Sequence, residues 1–157
     1  MSSAAQKSQT SEDEADILAL IEFINEAHLD KDVAAIVAPY AHNAIVCDLS
    51  PPLVHEGMDL QVKQAWLDTW DGPIERESRD FTFKVSGDFA FGHGYFRLAG
   101  NPKSAGRRIS FWMRATMCLQ RDGNGWKIVH EHTSVPFYMD GSLRPAFDLQ
   151  PSADAAR

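Results

Sequence analysis

A strand that begins apolar and ends in two imidazoles constrains this chain more than any other feature. Residues 123–137 run Gly-Asn-Gly-Trp-Lys-Ile-Val-His-Glu-His-Thr-Ser-Val-Pro-Phe. They leave a Gly/Asn turn and then alternate with a period of two. That places Trp126, Ile128, His130, His132 and Ser134 on one face and Lys127, Val129, Glu131 and Thr133 on the other. Such a face runs from a packed core at Trp126 towards a polar cavity or rim near His132, and Pro136 ends the ladder.

The preceding elements follow from their own periodicities. Residues 1–11 are polar and low in aromatics, which predicts a disordered tail, with Ser11-Glu12-Asp13-Glu14 as a capping box. Ile17, Leu20, Ile21, Ile24 and His28 recur at helical spacing to about Leu29. A second short helix carries Val33, Ile36, Val37 and Tyr40 on one face and stops near Pro39. Residues 44–49 form a short strand holding one carboxylate, Asp48, ahead of the ladder-breaking Ser50-Pro51-Pro52. Gly57 opens a third helix with Val62, Ala65, Trp66 and Thr69 on one face. Four long strands follow over 74–85, 89–98, 109–119 and 125–134, joined by turns at 86–88, 100–106 and 121–125. The order α-α-β-α-β-β-β-β predicts an α+β domain over residues 12–139, a cone-shaped, curved, antiparallel or mixed sheet wrapped around three helices. Residues 140–157 are expected to be a tail or an extension that embraces a partner.

Composition excludes several classes. With 157 residues, of which 44% are hydrophobic, the chain builds one domain with a substantial core. A net charge of −7 and a pI near 5.2 argue against a nucleic-acid groove or an anionic membrane as partner. Cys47 and Cys118 lack metal-ligand spacing and sit in apolar runs, so they are expected as buried free thiols of a reducing compartment. The first residues have no apolar signal core, and no run of ~18 apolar residues exists, so a cytoplasmic location is expected.

Residues 125–134 resemble the terminal strand of the SnoaL-like and ketosteroid-isomerase-like group within the nuclear-transport-factor-2-like superfamily. The association domains of calcium/calmodulin-dependent kinases end in a similar Trp, His-x-His, Ser strand. The resemblance spans Glu14 to Phe137 and implies the cone fold, with enzymes, binding modules and assembly domains all among its uses. The segment from Tyr40 through Asp48 to His55-Glu56-Gly57 is similar to the place where ketosteroid isomerases carry an aspartate base. A carboxylate walled by aromatic residues would gain basicity there. The isomerases' oxyanion-holding tyrosine falls on Ile24 and their protonated aspartic acid on or beside Met117. Neither donates a hydrogen bond, so the resemblance does not extend to steroid isomerisation. Superfamily dehydratases pair an aspartate on the first helix with a histidine. This chain has Asn25 and His28 on that helix, and Asp48 with His132 or His93 would have to supply the pair.

Two functional classes remain. The first is an enzyme without cofactor or metal, an isomerase, lyase or cyclase moving a proton on a hydrophobic carbonyl compound. Asp48 would be its base, His130 or His132 its acid or polariser, and Tyr40, Trp66, His93, Tyr95, Met117 and Arg114 would contact the substrate. A four-residue loop before the last strand sets Met117 opposite His130 and Ala115 opposite His132. Arg114 and Thr116, an Arg-x-Thr step resembling that of SnoaL-like chains, then lie on the other face, with Arg114 paired to Glu131. A bulge would reverse that parity. The second class is a non-catalytic binding or assembly module, in which Asp48 merely forms a turn and His130 is a satisfied core residue. In either class Trp112 and the arginines of the outer sheet face point to a homodimer through that face.

Overall fold

The computed structural model describes residues 3–152, and the expectation for Met1, Ser2 and residues 153–157 lies outside the described residues. Helix α1 spans Ser3–Asp30, α2 Val33–Val37 and α3 Leu60–Leu67. Strands β1 (Tyr40–Cys47), β2 (His55–Glu56), β3 (Trp70–Ser86), β4 (Phe89–Pro102), β5 (Ile109–Asp122) and β6 (Gly125–Ser134) form one open sheet in the order β2-β1-β6-β5-β4-β3. β1 runs parallel to β6, and every other pair is antiparallel. The predicted mixed sheet around three helices is therefore the fold, with β2 as an added two-residue edge strand. Among the described residues no helix is long and apolar enough to cross a membrane.

Two boundaries differ from expectation. α1 is helical from Ser3, through the segment predicted as a tail, because no Gly or Pro interrupts 3–30 and Ala, Gln and Lys favour helix. Tyr40 opens β1 instead of closing α2, since Pro39 ends the helix and its carbonyl accepts from Ile128 N–H at 2.9 Å. α1 itself ends at Lys31, which takes the left-handed conformation at φ 55°. Asp32 then caps α2 by accepting from Ala35 N–H.

The inner sheet face packs on α1. Ile17, Ile21 and Ile24, all 0% exposed, meet Phe96, Met117, Leu119 and Ile128, equally inaccessible. A second apolar cluster of Ala27, Ile36, Leu67, Trp70 and Ile74 ties α2 and α3 to the far end of α1 and β3. Polar residues gather between these clusters, where the sheet opens under α3. The loop before α3 is held close by Gly57, whose N–H bonds the Ala44 carbonyl at 2.7 Å. A Cβ on Gly57 would stand 2.6 Å from the His42 carbonyl oxygen, so only glycine fits.

After Ser134 the chain does not trail away. The Ala146 N–H donates to the Pro136 carbonyl at 2.8 Å, Ala146 is 2% exposed, and Phe147 packs on Phe111 at 4.5 Å between ring centroids. Residues 149–152 lie against Tyr95, Trp112 and Arg114 on the outer sheet face. The expected C-terminal tail thus covers part of its own domain.

Candidate active site

One extra residue in β6 decides what faces the interior. Leu119 pairs with Ile128 but Cys118 pairs with His130, so Val129 is a bulge and the alternation reverses beyond it. Trp126 and Ile128 stay inside as expected, whereas Glu131 and Thr133 turn inward and His130 and His132 turn out. Met117 therefore opposes Glu131, and Ala115 opposes Thr133. His132 is exposed, and His130 Nδ1–H donates to the Ile45 carbonyl at 2.8 Å. His93, Tyr95 and Arg114 also lie on the outer face, Arg114 donating from Nε to Ser134 Oγ at 3.1 Å instead of pairing with Glu131. The expected convergence of Asp48 with His93, His130 or His132 does not occur. Tyr40, Trp66, Met117 and Asp48 do stand on the inner side. Cys47 and Cys118 are free thiols, but partly exposed ones.

The inward residues build a different constellation. Tyr40 Oη donates to Glu131 Oε2 at 2.9 Å, and the Arg76 guanidinium lies 3.8 Å from the same oxygen. Burial, and then the negative charge of Glu131, push the Tyr40 phenol well above its ordinary range, so it stays a donor. Arg76 also donates to Asn25 Oδ1 at 2.8 Å and lies 3.5 Å over the Phe96 ring. Its position is thus set by three elements.

His28 comes from the last turn of α1. Its Nδ1 stands 2.8 Å from the Ile24 carbonyl. A carbonyl only accepts, so Nδ1 carries the hydrogen and Nε2 keeps a lone pair when the ring is neutral. Burial first, and then the positive charges of Arg76 and Lys63, hold the imidazole well below its usual basicity. The unfolded chain accordingly binds a proton that the folded protein refuses. His28 favours folding above the unfolded value of ~6.5, and stability falls below it at up to about 1.4 kcal/mol per pH unit. Urea unfolding at pH 7.5 and pH 5.5 checks this: the loss in wild type is expected to shrink in His28→Gln.

Lys63 and Trp66 are brought into line by the start of α3, where Asp59 Oδ1 accepts from Gln61 and Val62 N–H at 2.8 and 2.9 Å. One turn apart, they lie on one helix face, with Lys63 Nζ 4.4 Å from the Trp66 ring centre. Burial lowers the basicity of the amine against the opposing effect of Asp48. Asp48 itself sits at the exposed rim, not behind an aromatic wall. Its Oδ1 accepts from Leu49 N–H at 2.7 Å and from Thr133 Oγ1 at 3.4 Å.

His28, Asp48, Lys63, Trp66, Arg76 and Thr133 line a two-lobed cleft, whereas Tyr40, Met117 and Glu131 border neither lobe. An inner lobe of about 150 Å³ is walled by His28, Arg76, Trp70, Phe111, Met113 and Thr133. An outer lobe of about 310 Å³ is bounded by Val46, His55, Met58 and Val62. Asp48, Ser50, Lys63 and Trp66 border both. The arrangement pairs a neutral imidazole with a cation and a hydroxyl inside apolar walls, which suits proton removal next to a group that gains negative charge. Sequence periodicity had marked His28 as a buried helix position, but Lys63, Arg76 and Glu131 carried no local signal.

Comparison with known proteins places the fold. The model of a family described as SnoaL-like domain matches residues 17–138. A solved NTF2-like protein of unknown function from Pseudomonas putida KT2440 is 31% identical, over 96% of this chain and 99% of that one, with a TM-score of 0.76. An NTF2-like protein with a cystatin-like fold from Novosphingobium aromaticivorans is 18% identical over 88% and 90%, at 0.68. A ketosteroid isomerase-like protein from Erwinia carotovora atroseptica is 21% identical over 78% and 95%, at 0.65. The latter two share the fold alone. Among curated proteins none matches.

Proposed function

The chain belongs to the SnoaL-like domain family, and we propose that its cleft takes a small apolar carbonyl compound and moves a proton at the carbon next to the carbonyl. His28 Nε2 takes the proton. Arg76 donates to the oxygen that gains charge, and Asp48, at the mouth, exchanges the proton with water or returns it to another carbon. An isomerase, lyase or cyclase results, depending on where the substrate's electrons go next. The base moves from Asp48 to His28 relative to the expectation from the sequence, and His130 and His132 have no part.

The observation that supports this reading most is the fixed tautomer of His28, a buried neutral base with its lone pair unused by the protein. The test is deuterium exchange. Small cyclic and aryl ketones are incubated with the protein in D2O, and the α-proton signals are followed by NMR. Loss faster than in buffer is expected for at least one ketone that binds. Ketones that bind without accelerated exchange would overturn the reading.

A second reading is an assembly module, supported by the outer sheet face. Phe89 is 58%, Phe91 49% and Ile45 38% exposed there, beyond the part covered by residues 149–152. We propose that two copies pair through these residues. Light scattering should give about twice the chain mass of 17.5 kDa, and Phe91→Glu should return the monomer. A wild-type monomer at micromolar concentration would rule the pairing out.

A further inference from the structure

We propose that Lys63 is a nucleophilic amine that captures an apolar aldehyde or ketone in the cleft as an imine. The proposal rests on the carbonyl-pocket reading and extends it, giving the substrate a covalent anchor and His28 an electron sink to work against.

The location of Lys63 carries the inference. Its side chain borders both lobes of the cleft, so a ligand in either reaches the amine. Among the described residues Lys63 makes neither a hydrogen bond nor an ion pair, and its directed contact is the Trp66 ring face. Other lysines differ. Lys31 Nζ donates to the Trp70 carbonyl at 2.6 Å, Lys103 to the Asp68 carbonyl at 2.8 Å and Lys127 to the Ala38 carbonyl at 2.7 Å. Lys84 sits exposed on the outer face of β3. A partly buried amine with unspent hydrogens, beside an apolar wall, fits covalent chemistry better than surface solvation. Its depressed basicity agrees, because burial favours the free amine that alone can attack.

The step balances as follows. The Nζ lone pair forms a bond to the carbonyl carbon, and the C=O π pair moves to oxygen, which takes up the proton shed by nitrogen. The carbinolamine then expels its hydroxyl, which leaves as water with one proton from solvent, while the nitrogen lone pair closes the C=N bond. The protonated imine so formed acidifies the neighbouring C–H. His28 Nε2 takes that proton, and the C–H pair flows into the iminium nitrogen as an enamine. Trp66, Trp70 and Phe111 supply apolar surface that limits return of water.

Trapping tests the proposal. The full chain is incubated with 2-naphthaldehyde and cyanoborohydride, which delivers hydride to an imine and converts it to a secondary amine. Adduct sites are mapped by mass spectrometry. Burial in the cleft favours the free amine of Lys63, so Lys63 is expected to label several-fold faster than the exposed Lys84. Lys63→Arg, which keeps charge and bulk, should abolish that adduct while leaving labelling of Lys84 unchanged, and Lys63→Met serves if the arginine variant does not fold. Labelling of Lys63 no faster than Lys84 would overturn the proposal. The ketone exchange assay separates the two ideas. Exchange equal in wild type and Lys63→Arg sinks the imine and leaves the role of His28 standing, whereas absence of both exchange and adduct removes both.

Discussion

Replacing His28 with glutamine is expected to slow α-proton exchange on a bound ketone by about 10²–10⁴-fold, the usual worth of a positioned general base. Glutamine retains an amide N–H able to reach the Ile24 carbonyl and comparable bulk beside Trp66, so the cleft keeps its walls. It has no basic nitrogen. Ketone affinity, measured by ligand-observed NMR, should change little, because the lost interaction belongs to the transition state. A variant that binds and exchanges as well as wild type would show that His28 only packs.

The second large effect concerns the charge cluster beneath the cleft. Arg76→Met is expected to destabilise the fold by about 3–5 kcal/mol, since it leaves the Glu131 carboxylate buried with Tyr40 as its remaining donor. In a domain of this size that lowers the melting temperature by roughly 10 °C. Adding Glu131→Gln to Arg76→Met should restore about 2 kcal/mol, because an amide no longer needs a counter-charge. Calorimetry on the single and double variants checks both statements. Equal stabilities for the two would mean that water already compensates Glu131.

Much of this architecture is legible in the residues. The apolar spacing of Ile17, Ile21 and Ile24, the proline stops after Val37 and Leu49, and the Asp-Gly-Asn-Gly turn each mark a boundary by local chemistry. Tyr40 and Trp66 stand on the inner side, whereas Asp48, expected indoors, sits at the exposed rim. That His130 and His132 face away from the cavity was not legible, and the cause is one backbone irregularity. No residue type announces the bulge at Val129, yet it exchanges the two faces of the strand for every position after it. Lys63 and Arg76 were missed for another reason. A lone charged residue is ordinarily at the surface, and only the three-dimensional pairing of Arg76 with Glu131 and Asn25 makes its burial tolerable. The start of α1 was missed because a polar helix shows no apolar stripe.

The bulge at Val129 also bears on how such a chain changes its chemistry over generations. The last strand encodes two complete polar sets, an acid with a hydroxyl and a pair of imidazoles, on alternate positions. Which set meets the cavity is chosen by whether one aliphatic residue, Val129, is bulged out of the ladder or held within it. A lineage in which the strand kept every residue but lost the bulge would present His130 and His132 to the ligand and turn Glu131 and Thr133 to the outside, without altering any reactive side chain. For this strand, the register it keeps on β5 says more about the pocket's chemistry than comparing the residues themselves.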